Sequence, residues 1–418
     1  MESGFTYRKG RLHAENLSLE DLAREFGTPL YVYSRTRMIE RYREIAEAFR
    51  DLAPTIFYAV KANTCGAVIQ ALAAEGAGAD VVSGGELWRA RRAGIPADRM
   101  AFAGVGKTEG EIDLALREGI LYFTVESEAE LERIGERAAR LGCKARVAMR
   151  VNPDVDPKTH RYTSTGMKEN KFGVDLERAE QACARAEALD GLEIAGLHMH
   201  IGSPVMQVEP YLEAIERVRP LCDRLRARFP TFRHLDIGGG FGVPYRPDEP
   251  PFDLPRLARE AVPLLREIGL QVGVEPGRYI TADAGVLVTE VQYVKENAFK
   301  RFLIADAAMT DLIRPALYEA WHEVAPVCES TEHVTGDLVG PVCESSDFLA
   351  QDRDLPAAAA GDLLAVLNAG AYGFVMASTY NSRPRPAEVM VQGTKVELVR
   401  ERESLDDLVR GERLPSWS

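Results

Sequence analysis

LYFTVESEAELERIGERAARLGCKARVAMRV, from Leu121 to Val151, carries the pattern that decides the fold. Two short apolar runs, Leu121–Val125 and Ala145–Val151, flank an amphipathic stretch, Glu128–Leu141. Apolar runs without polar alternation suit strands buried on both faces, and helices joining such strands leave them parallel. The pattern extends in both directions. Further runs are Thr55–Val60, Ala79–Val82, Met100–Ala103, Ile194–His200, His234–Ile237 and Gln271–Val274. Helical spacing marks Gly85–Ala93, Glu109–Glu118, Leu176–Leu189, Glu209–Phe229 and Pro255–Ile268. Eight such runs predict an α/β fold, a (β/α)8 barrel over residues 37–283, with a doubly wound open sheet as the alternative.

Beyond Gly285 the pattern changes. Val286–Lys295 (VLVTEVQYVK) alternates with period two, as do Glu388–Val391 and Val396–Val399, which Gly393–Thr394 joins. Alternation with tight turns predicts antiparallel strands. Phe5–His13 and Leu30–Tyr33 also have strand character, so residues 1–36 and 284–418 are expected to form a second, β-rich domain.

Composition narrows the function. With 46% hydrophobic and 28% charged residues over 418, the chain is of ordinary globular type. Its net charge of −13 argues against a nucleic-acid or polybasic membrane partner. Six scattered cysteines form no CxxC pair, which leaves disulfides and a cysteine zinc site without support. The polar start has no signal-peptide character, and the cytoplasm is the expected compartment.

In a barrel, chemistry gathers where strands end. Lys61, in YAVKAN, closes the first run; partial desolvation there would free its amine for a Schiff base, the alternative being a snorkelling surface lysine. His198 and His200, in HMHIGS, are two apart and so expected to face inward on one strand. They could form a metal pair, but with seven histidines in the chain and no completing cluster, one filling the barrel and one facing a planar ligand is favoured. Glycines in DIGGGFG (236–242) let backbone amides approach a phosphate. Glu275, in EPGR, suits a cationic ring nitrogen, and Arg278 a phosphate or carboxylate. Amine, imidazole, phosphate cradle and carboxylate together are the parts that hold pyridoxal 5'-phosphate.

On these motifs the sequence resembles the barrel-type (fold type III) pyridoxal-phosphate-dependent decarboxylases, within them the diaminopimelate decarboxylase group. The likeness runs through GADVVSGGEL (78–87), STGMKENKFG (164–173), DLIRPALY (311–318), GPVCESSD (340–347) and GAYG (370–373) as well. The resemblance implies that Lys61 carries the cofactor, that His200 stacks on its ring and that Glu275 meets its pyridine nitrogen. Barrel-type racemases place an arginine there instead. It assigns Ser203, Gly239, Gly240 and Gly277 to the phosphate, with Arg278 and Tyr372 also at the cofactor. Arg278, Arg314, Tyr318, Glu344 and Tyr372 would recognise the substrate, and Cys343 would return a proton after carbon dioxide leaves. Cys343 and Glu344 would act in the neighbouring subunit, which implies a homodimer with shared active sites. Segment 160–173 would be a lid. The implied reaction converts meso-2,6-diaminopimelate to L-lysine and carbon dioxide, the last step of lysine biosynthesis. Alternatives are another diamino acid, such as ornithine or D-lysine, or cofactor binding without turnover.

Overall fold

A computed structural model describes residues 4–156, 172–187, 189 and 191–417. The chain folds into two compact units: Ile39–Pro244 with Pro250–Ile280, and Met1–Met38 with Tyr245–Glu249 and Thr281–Ser418.

Eight parallel strands close the first unit into a barrel. Thr55–Ala59, Gly78–Val81, Met100–Phe102, Tyr122–Val125, Ala145–Asn152, Leu192–His198, His234–Gly239 and Gln271–Glu275 pair in chain order, and the eighth pairs back with the first. Closure excludes the open-sheet alternative. Local causes are visible around residues 121–151. The Ser127 hydroxyl caps the helix Glu128–Arg140 by accepting from the Glu130 N–H at 3.2 Å, and Leu131, Ile134 and Ala138 bury one stripe at helical spacing. Gly142, at φ 66°, turns the chain out of that helix. In the strand that follows, every residue except Arg146 is buried. Inside the barrel Phe57, Ala101, Tyr122, Ala148 and Ala195 form one cluster, in which the Phe57 and Tyr122 rings meet at 70° and 6.0 Å. Burial of each such ring contributes about 2–3 kcal/mol.

Three details of the barrel unit differ from the sequence expectations. The helix Gly66–Ala74 has no counterpart among the expected helices, because GAVIQALAA offers only Gln70 as a polar face. Lys61 lies in a 3-10 turn, Val60–Ala62, after the first strand has ended at Ala59. The sixth strand ends at His198, so His200 is beyond it and the two histidines do not share a strand face.

The second unit contains a mostly antiparallel sheet. Gly285–Glu296 pairs antiparallel with Leu30–Ser34, Arg301–Ala305 and Leu363–Val366, and the expected hairpin joins Ala387–Gln392 to Lys395–Arg400. Two pairings are parallel: Leu30–Ser34 with Ala387–Gln392, and Arg301–Ala305 with His333–Val339. Gly285–Glu296 is fully buried through Thr289 and exposed from Gln292 onward, so the period two in its sequence is not a burial pattern. Nor is Phe5–His13 one strand. Lys9 and Gly10, at φ 51° and 75°, fold it into the hairpin Phe5–Arg8 and Arg11–Ala14, which with Leu17–Ser18 makes a separate small sheet. Phe5, Leu12, Leu19, Val32, Val286 and Val389 are among the residues of this unit's core.

Among the described residues, no helix is long and apolar enough to cross a membrane. Of the expected lid, only Phe172 and Gly173 fall within the described residues.

Candidate active site

Ends of the barrel strands bring an amine, two imidazoles and three carboxyl groups together. Lys61 Nζ donates to Asp80 Oδ2 at 2.5 Å; the aspartate, in the second strand, is wholly buried while the lysine side chain remains 35% exposed. His198 Nε2 lies 3.1 Å from Glu275 Oε2, both residues buried. Asp236, also buried, accepts from the Tyr122 hydroxyl at 3.0 Å and from the Gly238 N–H at 2.9 Å.

Three carboxyl groups in one buried space cannot all stay ionised, and their partners decide which does. Burial would raise the Glu275 pKa, but the charge of His198, its hydrogen bond and Lys61 outweigh it and hold the carboxyl well below the usual carboxylate range. Burial likewise disfavours a charged His198, yet Glu275 wins and raises the imidazole's pKa. Asp80 and Asp236 are both shifted upward, by burial first and then by the charge of Glu275. Of the three, Glu275 is therefore the one held most firmly as an anion, with the His198 imidazole favoured towards its charged form beside it. Its Oε1 is buried and has no hydrogen-bond partner among the described residues.

His200 is held differently. Its Nδ1 accepts from the Gly239 N–H at 3.2 Å, so the proton of the neutral ring sits on Nε2. Burial, then Arg150 and Lys61, push its pKa down to about 3 and keep the ring uncharged. The adjoining glycine turn tolerates no side chain. A Cβ on Gly239 would come within 1.9 Å of the Glu275 carbonyl oxygen, and one on Gly240, at φ +89°, within 2.0 Å of the Gly202 oxygen. Ser203 is tied to the same region, its hydroxyl accepting from Arg278 Nε at 3.1 Å. Gly277 packs on Ala59 and Ala62, beside Lys61 in sequence. Gly240→Ala is expected to lower the unfolding free energy by about 2–4 kcal/mol, measured by urea unfolding without added cofactor.

The remaining candidates belong to the sheet unit. Arg314, 6% exposed, opens the short helix Arg314–Tyr318, and half-buried Tyr318 ends it. Tyr372 is half-buried at φ 55°. Cys343 and Glu344 are exposed on a loop that buried Asp347 anchors by accepting from the Val342 and Met309 N–H groups, each at 2.6 Å. The Cys343 N–H donates to Asn381 Oδ1 at 2.8 Å, and Glu344 accepts from the Ser346 hydroxyl at 2.6 Å.

A family model described as pyridoxal-dependent decarboxylase, pyridoxal binding domain, matches residues 35–282. Diaminopimelate decarboxylase of Pseudomonas aeruginosa is 51% identical, with 98% of this chain and 99% of the relative covered. That of Aquifex aeolicus is 49% identical, over 96% of each. The chain belongs to the diaminopimelate decarboxylase family. Among solved structures, the diaminopimelate decarboxylase of Helicobacter pylori complexed with L-lysine is 42% identical with a TM-score of 0.90, over 94% of this chain and 98% of that one. The M. jannaschi diaminopimelate decarboxylase reaches a TM-score of 0.93 at 36% identity, over 99% and 98%.

The cofactor of this family, pyridoxal 5'-phosphate, fits the residues present. A buried anionic oxygen with no partner among the described residues suits a protonated ring nitrogen, a neutral imidazole suits the face of a planar ring, and the side-chain-free turn suits a phosphate. The sequence alone assigns no role to Asp80 or Asp236, and favours for His198 that of filling the barrel over membership of a metal pair. His198, Asp236 and Glu275 offer atoms within 4.8 Å of one another, a grouping of metal-ligand type that the sequence could not signal because three different strands supply it. The His198–Glu275 hydrogen bond, with Tyr122 and Gly238 holding Asp236 beside it, accounts for the grouping as the mount of Glu275.

Proposed function

We propose that the chain decarboxylates meso-2,6-diaminopimelate to L-lysine, the step that completes lysine synthesis, as a cytoplasmic homodimer. The observation that carries the reading is 49–51% identity over nearly the whole chain to enzymes bearing that name. Because meso-diaminopimelate has one D and one L centre, forming L-lysine removes the carboxylate of the D centre and leaves the L end as a distal recognition handle.

Pyridoxal phosphate, when bound, supplies an electron-poor ring that takes up the electron pair left as carbon dioxide departs. Lys61 would hold it covalently through its amine. Asp80, close enough to accept from Nζ, keeps that amine in place. Glu275 would keep the ring nitrogen protonated, and His198 favours the ionised form of Glu275. His200 would offer the ring a neutral, flat surface. Ser203, Gly239, Gly240 and Gly277 hold the phosphate, with Arg278 and Tyr372 alongside. Arg314, Tyr318, Arg278 and Tyr372 bind the distal end, and Glu344 takes its ammonium. Cys343 donates the proton to the reacting carbon. An exposed cysteine and glutamate on an anchored loop suit service in a second copy's site.

The test is carbon dioxide and L-lysine release by the purified chain with added cofactor. At least about 100-fold preference in kcat/KM for meso-diaminopimelate over ornithine is expected, because ornithine lacks the distal carboxylate that Arg314 would bind. Equal or better turnover of ornithine would overturn the substrate assignment.

A further inference from the structure

His322 is the most completely buried histidine of the sheet unit, 0% exposed, and it lies beyond the DLIRPALY motif that ends at Tyr318. Its two ring nitrogens face partners of opposite kind. Nδ1 is 2.8 Å from the carbonyl oxygen of Leu367, which can only accept. Nε2 is 2.8 Å from Arg314 Nη1, which can only donate. The ring is therefore neutral, with its proton on Nδ1 and a lone pair aimed at the guanidinium. Protonating Nε2 would remove that acceptor and set two cations together in a space closed to water. Tyr245 completes the mount: its ring lies 5.3 Å from the His322 ring at 79°, and the Arg314 guanidinium carbon sits 4.7 Å from its centroid. Arg353 holds the histidine's own backbone, donating to the His322 carbonyl oxygen at 2.5 Å.

A guanidinium recognises a carboxylate through parallel N–H bonds whose direction follows from the rotation of its plane. An acceptor fixed on one Nη sets that rotation before any ligand arrives. We propose that His322 is a positioning residue for substrate specificity, orienting the Arg314 guanidinium towards a carboxylate at the distal end of the substrate. The inference rests on the reading of Arg314 as the partner of that carboxylate.

The test uses the holoenzyme and two ligands that differ in one group, L-lysine and 1,5-diaminopentane, which lacks the carboxylate. In calorimetric titrations, His322→Leu is expected to weaken L-lysine about 10- to 100-fold while leaving the diamine within about twofold. KM for meso-diaminopimelate should rise by a similar factor, with kcat changed less than about threefold. His322→Gln, whose carboxamide oxygen can take the place of Nε2, should recover most of the loss. Equal weakening of both ligands, or of neither, overturns the assignment. If His322→Leu does not fold, the glutamine variant decides: loss of L-lysine binding as complete as in Arg314→Met overturns it. Arg314→Met also separates the two readings. If it leaves L-lysine binding intact, the assignment of Arg314 fails and carries this one with it. If it weakens L-lysine and His322→Leu does not, only the role of His322 falls.

Discussion

Lys61→Ala is expected to lower kcat for meso-diaminopimelate by about 10⁴-fold and to abolish the visible absorbance of covalently held cofactor. The lysine contributes twice, as the covalent anchor and as an amine able to move a proton, and general acid–base groups alone are worth about 10²–10⁴-fold. Stability should change less than the loss of a buried ion pair would suggest. Breaking such a pair ordinarily costs about 3–5 kcal/mol, because a bare charge stays behind. Here the survivor is Asp80, whose pKa burial and Glu275 already raise, so protonation relieves part of that cost. A melting curve therefore distinguishes lost chemistry from lost fold. Turnover within tenfold of the parent chain, with the absorbance retained, would refute the assignment.

Glu275→Gln is expected to cost about 10²–10³-fold in kcat, with KM changed less than about threefold, as for other groups that stabilise developing charge. An amide matches the carboxylate in shape but cannot favour protonation of the ring nitrogen. It also strips His198 of the charge that raises its pKa, so burial is left to drive the imidazole neutral. The sign in pH follows from both shifts. Depression of the Glu275 pKa contributes stability above the usual carboxylate range that is lost as pH falls through its folded value. The raised His198 pKa contributes stability below the ordinary imidazole value that is lost as pH rises through the folded one. Stability of the parent chain should then peak between the two, and Glu275→Gln should flatten that peak in urea unfolding followed across pH. A variant with the parental kcat and an unchanged pH profile would exclude this role.

Much of the barrel was legible because its strands are covered on both faces and their apolar runs stand out from amphipathic helices. Gly66–Ala74 escaped because a helix almost wholly apolar shows no period. The direction of Leu30–Ser34 against Ala387–Gln392 left no mark on either segment, since alternation reports faces and says nothing of neighbours. Site residues were legible where they sit in long motifs. Asp236 and Asp80 also lie in such motifs, yet their partners Tyr122 and Lys61 are brought to them only by closure of the barrel. His322 is harder still: its meaning rests on which nitrogen faces a donor and which an acceptor.

Pairing of Leu30–Ser34 with Ala387–Gln392 has a bearing on how the chain comes into being. Sequence from both extremities builds one sheet, whereas nearly all of the barrel unit is contiguous. During synthesis the barrel can condense as soon as its eighth strand emerges, while Leu30–Ser34 waits with one edge open until Ala387–Gln392 has been made. Contacts so distant in sequence form slowly, so the sheet closes after the barrel, and the ribosome's pace between Glu296 and Ala387 sets how long that edge stays bare.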